Sequence, residues 1–248
     1  MLYILMVGLS MKLLNLIKCH LSYLLSKSSI VSMLIVLIIL SFVYVTNALS
    51  VDSASYKENI NTYYYSSVTI TKVINCMLSC FIMSSFYSRQ NDAYICLIIT
   101  SGIKKEQYYL TKLSSIVFVL FFNLMLLCLL FLLSGFLFIK GFVYDVKYVR
   151  AFYCIFICTI IYSLYANILV NVFHNMFTFL VPALLSILST SLSQGNINIY
   201  KKLLFIIAPV SLNSLDKMFY NNIIYILIII VLIIISLLVY VKADRRSE

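Results

Sequence analysis

SRQNDAYICLIITSGIKKEQYYLTKL, residues 88–113, is the stretch on which the reading of this chain turns. It lies between two long apolar runs, yet it is neither apolar throughout nor biased toward disorder-prone residues. Arg89 and Asp92 open it, and an apolar run from Tyr94 to Ile99 follows. Ser101-Gly102 break that run, and Lys104-Lys105-Glu106 form a basic turn before Gln107–Leu113 lead into the next apolar run. The pattern predicts two short helices separated at Gly102, since glycine supplies the left-handed conformation that ends a helix. Charges at both ends of a short amphipathic element suit a membrane surface, with the apolar side against the protein and the charges facing water.

Outward from this segment the chain is strongly apolar. Of 248 residues, 63% are hydrophobic and 10% charged, and several runs approach the roughly 20 residues needed to cross a ~30 Å hydrocarbon layer. The chain is therefore read as an all-α polytopic membrane protein, and water-soluble folds are excluded. Five Gly and two Pro leave little room for flexible linkers. The seven cysteines (19, 76, 80, 96, 128, 154 and 158) fall in predicted spans or in segments assigned to the cytosol, which suits buried or reduced thiols rather than a disulfide framework. The net charge of +10 fits anchoring to anionic headgroups, with no nucleic-acid partner implied.

Six spans are predicted, at about 30–47, 66–86, 115–139, 151–172, 176–192 and 223–241, within a transmembrane domain covering 29–241. Residues 1–28 precede it. Residues 1–10 carry no charge, and translation is expected to start at Met11, where an amphipathic helix begins. Leu13, Leu14, Ile17, Leu21 and Leu24 make its apolar face, opposite Lys12, Asn15, Lys18 and Ser22. Tyr63, Tyr64 and Tyr65 close a polar loop at a membrane interface. Residues 140–150 form a short basic loop, and 194–220 hold an apolar core too short to cross, which fits a re-entrant or interfacial pair. Residues 242–248 form a basic tail. Placing both termini in the cytoplasm leaves ten Lys/Arg on the inner side (12, 18, 27, 89, 104, 105, 112, 242, 245, 246) and eight on the outer (57, 72, 140, 147, 150, 201, 202, 217), so charge bias alone hardly orients the chain.

The charged entry, short apolar helix, small-residue break and basic pair, followed by x-x-Tyr and then Lys-Leu into a span, resemble the permease subunits of ABC transporters, specifically the six-span type 2 exporters. In that family the loop is a coupling helix that docks into an ATPase. The resemblance implies an ATPase partner for Arg89, Asp92, Ala93, Ile95, Lys104, Lys105 and Glu106, with Lys104-Lys105 equally suited to headgroup anchoring. Gln90 and Asp92 stand where the family usually has Glu, and Gly102 where many members have Pro. The resemblance further implies an N-terminal elbow helix, a second permease copy as homodimer or heterodimer, and a bacterial plasma membrane with both termini cytoplasmic. ATP and Mg would be bound by the partner ATPase. Small permeases of this kind export amphipathic peptides such as phenol-soluble modulins or bacteriocins, or serve lantibiotic immunity. A motor-independent immunity or sensor protein that binds a peptide is the alternative.

Polar residues inside the spans give the second candidate site. Lys72, Asn75 and Ser79 share an arc of span two, and Thr178, Pro182, Ser186 and Ser189 share one of span five. Lipid offers no hydrogen-bond partners, so these faces are expected to oppose each other across a substrate route or a packing seam. Lys72 sits about two turns from the end of its span, within reach of the interface by snorkelling. Ser163, Asn167, Asn171 and His174 line up on span four, with His174 read as a turn residue satisfied by backbone. No G-x-x-x-x-G-K-[S/T] occurs, so no phosphate-cradling loop is present, and two His with eight acidic residues supply no zinc-type spacing. A membrane enzyme would need an acid, His or activated nucleophile at membrane depth, and no such dyad is evident.

Overall fold

The computed structural model describes residues 14–22, 24, 27–50, 56–88, 103–192 and 222–243. Their regular structure is helical. In chain order the helices are α1 (Lys27–Leu49), α2 (Tyr56–Phe86), α3 (Lys105–Phe138), α4 (Val146–Phe173), a 3₁₀ turn (Met176–Phe179), α5 (Leu180–Leu192) and α6 (Asn222–Ala243). Residues 14–22 are also helical.

Five of these helices (α1–α4 and α6) are long and apolar enough to cross a membrane. The chain is thus a multi-pass membrane protein by the length and composition of its helices. The fifth of the six predicted spans falls short: Met176–Thr190 is an apolar helix below crossing length among the described residues. Its first turn is wound as 3₁₀, and Pro182 then occupies the third position of α5, within the first α-helical turn where proline is tolerated.

Three boundaries move relative to the sequence reading. Helix α2 begins at Tyr56, ten residues before the predicted span, so Tyr63 and Tyr64 are helical and buried while Tyr65 is exposed. Helix α4 begins at Val146, which puts Lys147 and Arg150 on a helix rather than in a basic loop. The start there is fixed by Asp145, whose carboxylate accepts the backbone N–H of Lys147 at 2.9 Å. Helix α3 begins at Lys105 and runs unbroken for 34 residues, roughly 50 Å at 1.5 Å per residue. The second short helix expected after Gly102 is therefore the first turns of a span. Gln107 Oε1 accepts the backbone N–H of Lys104 at 3.3 Å, and Glu106 favours the positive end of the helix dipole.

Burial sorts the helices into inner and outer. In their most apolar 18-residue stretch, α4 buries 72% of residues and α2 61%, against 17% for α1 and 22% for α6. Outer helices can leave Ile, Leu and Phe exposed because lipid is as apolar as a protein core. Their hydroxyls are handled locally: in α1, Ser32, Ser41 and Thr46 each donate to the carbonyl three residues back. The same device quiets Ser66, Thr69 and Thr71 of α2, bonded four residues back.

An aromatic cluster closes the end of the bundle where α3 turns into α4. Tyr63 stacks on Phe131 with ring centroids 4.9 Å apart, and its hydroxyl donates to the Phe131 carbonyl at 2.7 Å. Phe142 stacks on Tyr148 and folds over Gly135, where an added Cβ would lie 2.6 Å from the ring. Gly141, with φ of 71°, makes the left-handed turn that brings Phe142 back.

The N-terminal helical residues dock through Leu16, His20 and Leu24, all buried, while Leu14 is exposed and Ile17 and Leu21 are half-buried. The apolar face predicted from Leu14, Ile17, Leu21 and Leu24 is thus rotated, because His20 takes a place in the contact. Asn15, Lys18 and Ser22 face outward as expected, and Leu13 and Lys12 lie outside the described residues.

Candidate functional site

Of the predicted coupling residues, Arg89, Asp92, Ala93 and Ile95 lie outside the described residues, as do the segment 194–220 and the tail from 244 on. Lys104 and Glu106 are exposed at the start of α3, with Lys105 half-buried between them. What the structure does describe is the root of the 88–113 segment.

At that root stands a buried lysine, the Lys of the Lys-Leu pair leading into the span, which the sequence reading placed among the inner charges. Lys112 is 2% exposed. Its ammonium lies 5.0 Å from the ring centroid of Phe86, 4.6 Å from Tyr87 and 5.5 Å from Tyr108. The cage therefore joins the last turn of α2 to the first turns of α3, across the segment that separates them in sequence. Cation–π attraction of ~0.5–2 kcal/mol per ring is greatest where water is excluded, as here. His20 completes the cluster from the N-terminal helix, its ring edge-on to Tyr108 at 5.0 Å and Phe86 at 6.0 Å. Burial, and then the Lys112 charge, lower the His20 pKa to about 4.

A second set of bonds carries this root into the bundle. The Tyr87 hydroxyl donates to the Tyr109 carbonyl at 3.1 Å. The Tyr109 hydroxyl meets Ser236 of α6 and accepts Asn167 Nδ2 of α4 at 3.0 Å. Asn171 Nδ2 donates to the Asn167 carbonyl at 2.9 Å, so two members of the predicted span-four stripe are used here. Ser163 bonds back to the Ile160 carbonyl. His174 leaves the stripe: it caps α4 in the left-handed region (φ 52°) with its N–H on the Val170 carbonyl at 2.8 Å, the turn role expected of it.

The second candidate site is a buried polar node. Asn75 Nδ2 donates to Thr159 Oγ1 at 3.0 Å, and Asn123 Nδ2 donates to Asn75 Oδ1 at 3.2 Å. Ser79 donates to the Cys76 carbonyl at 2.8 Å and reaches the Thr159 carbonyl at 3.4 Å. Three helices, α2, α3 and α4, thus share one amide network. Lys72 is 1% exposed, so it does not snorkel to the surface but stays within the protein. On α5, Ser186 and Ser189 are buried, and Ser189 accepts from the Tyr162 hydroxyl of α4 at 3.0 Å. Pro182 is buried, whereas Thr178 is half-buried and bonds to the Asn175 carbonyl. Helices α2 and α5 do pack on each other, yet their polar faces bond to neighbouring points of α4, Thr159 and Tyr162, three residues apart.

Thr159, Tyr162, Tyr109 and Ser236 were not singled out from sequence. Thr159, Tyr162 and Ser236 lie in largely apolar runs and Tyr109 in a mixed one, and the importance of each lies in which amide or hydroxyl packing brings to it. No protein-family model matches the chain, and no curated protein matches it.

Proposed function

We propose that this chain is the membrane-spanning subunit of an ATP-driven exporter, acting with a separate ATPase subunit and a second permease copy. The observation that carries this reading is the Lys112 cage. It ties α2 and α3, the two helices flanking residues 89–102, at the root of the segment that would receive the motor. A displacement applied to that segment then passes to two helices at once, and through Tyr87, Tyr109 and Asn167 to α4 and α6. A loop on loose stems would absorb the same displacement. On this reading residues 14–22 are the elbow helix, residues 176–192 complete a sixth crossing with both termini in the cytoplasm, and 194–220 form an outer re-entrant element. ATP and Mg belong to the partner.

The substrate on this reading is an amphipathic peptide or similar hydrophobic molecule. Its route would follow the faces carrying Lys72, Asn75 and Ser79 on α2 and Thr178, Pro182, Ser186 and Ser189 on α5. In the described state most of these groups are buried in protein, so opening the route requires α5 to part from α4, breaking the Tyr162–Ser189 bond.

The test is capture of the motor. A cysteine at Ala93, in a chain whose native cysteines are replaced, is expected to cross-link to a copurifying ATPase. Arg89→Glu and Asp92→Lys are expected to lower ATP-dependent export while leaving the folded fraction unchanged. Peptide binding with no associated ATPase, and no effect of either charge reversal, would favour the motor-independent immunity or sensor reading instead.

A further inference from the structure

The helix formed by residues 14–22 is held by a stripe of three positions four residues apart, Leu16, His20 and Leu24, lying within about 80° of arc. The outer two are aliphatic and need nothing but contact. The middle one is a titratable ring, 6% exposed, whose Nε2 is buried with no hydrogen-bond partner among the described residues. A neutral imidazole tolerates such a place at modest cost, whereas an imidazolium has two N–H donors and a charge to satisfy.

The place is unfavourable to a cation for a second reason. Phe86 and Tyr108, the two rings that His20 meets edge-on, are also two of the three that cover the Lys112 ammonium. The cage already holds one positive charge. Among the described residues, the titratable and charged groups that act on His20 are Tyr108 and Lys112 from α3, with Tyr87, just past the end of α2, on the far side of Lys112 and Tyr109 and Tyr240 one ring further away. On its own helix, Lys18 and Cys19 are exposed. Lys112 is the charged group that acts on the His20 ring, second to burial itself.

We propose that His20 makes the contact between residues 14–22 and the bundle a proton-operated latch. The helix is docked while the imidazole is neutral, and it is released when a proton places a second cation beside Lys112 in the shared aromatic cage. This holds whether or not the chain works with a motor.

The direction follows from linkage. The docked ring binds a proton less readily than a free one, with a pKa near 4 against the ordinary 6.5. Docking strength is therefore fully present above pH 6.5 and declines as pH falls toward 4. With these two values the undocked-to-docked ratio rises about thirty-fold between pH 8 and pH 5.

The experiment uses the full chain in lipid nanodiscs. Leu16→Cys introduces a thiol on the buried stripe, and native Cys19, exposed on the same helix, serves as the internal standard for the pH dependence of thiol chemistry. Labelling by a water-soluble maleimide, located by mass spectrometry, is expected to rise at position 16 relative to 19 by ten-fold or more from pH 8 to pH 5. The rise should vanish in His20→Gln and shrink in Lys112→Gln. Hydrogen–deuterium exchange of amides 14–22 in the unmodified chain, corrected for intrinsic rates, should show the same release. Should Leu16→Cys itself perturb docking, that second measurement decides. A flat ratio with unchanged exchange, or an equal rise in His20→Gln, overturns the latch.

Discussion

Replacing Asn75 by Leu, a side chain of similar size with no polar atoms, should destabilise the bundle more than the same change at Asn123. The asymmetry comes from the wiring of the node. Asn75 donates to Thr159 and accepts from Asn123, so its loss removes two hydrogen bonds. Thr159 keeps its bond to the Ile155 carbonyl at 2.8 Å, but Asn123 Nδ2 is stranded among apolar side chains. Two net bonds at ~0.6–1 kcal/mol each, plus ~1–2 kcal/mol for the stranded amide, give about 3 kcal/mol. Asn123→Leu removes one bond and leaves Asn75 on Thr159, for about 1 kcal/mol. The double variant strands nothing and should cost about 1–2 kcal/mol, less than the sum, with a coupling of about 2–3 kcal/mol. The molecule carries its own probe for this measurement. Cys76, Cys80, Cys154 and Cys158 are fully buried on α2 and α4, so their reaction with a thiol reagent reports separation of those helices. Unfolding would be followed by this reaction across graded SDS at fixed lipid–detergent ratio. Equal costs for the two single variants, or an additive double, would refute the network as described.

Gly141→Ala forces an alanine into a left-handed turn at φ 71° and should cost about 1–2 kcal/mol, read as a lower unfolding midpoint in the same titration. Gly135→Ala should also be destabilising, because Phe142 must leave its stack on Tyr148 to admit the new methyl group, and a Phe142→Ala background should remove most of that cost. Cysteines placed at Ser79 and Ser186 should be inert to a water-soluble thiol reagent in the isolated chain, since both positions are fully buried. Reactivity during ATP turnover with the partner subunit would then mark the route of the substrate. Inertness in every nucleotide state would leave those positions in a dry packing seam.

The sequence by itself determined that this is a helical membrane protein. Apolar runs near 20 residues with few charges admit no other backbone in lipid, where every peptide group must be bonded within its own helix. It also showed which helix is polar enough to sit inside, since the amide and hydroxyls of α2 need protein around them, and that His174 ends a helix. Helix ends were less legible. Tyr56–Tyr65 read as loop and Lys105–Lys112 as a basic turn and a short surface helix because their polar residues suggest water, yet tertiary packing covers Tyr63, Tyr64, Tyr108 and Lys112. Only the tertiary structure decided the pairings. Periodicity gives the face on which Asn75, Asn167 or His20 lies, but not which helix meets that face or at what depth. Thr159 lies 84 residues from Asn75, Ser236 lies 127 from Tyr109, and the rings that enclose Lys112 come from two helices and the turn after the first. Local sequence cannot encode such distances directly. They follow from packing all the apolar faces at once, and the polar partners are then those that the packed bundle brings within reach.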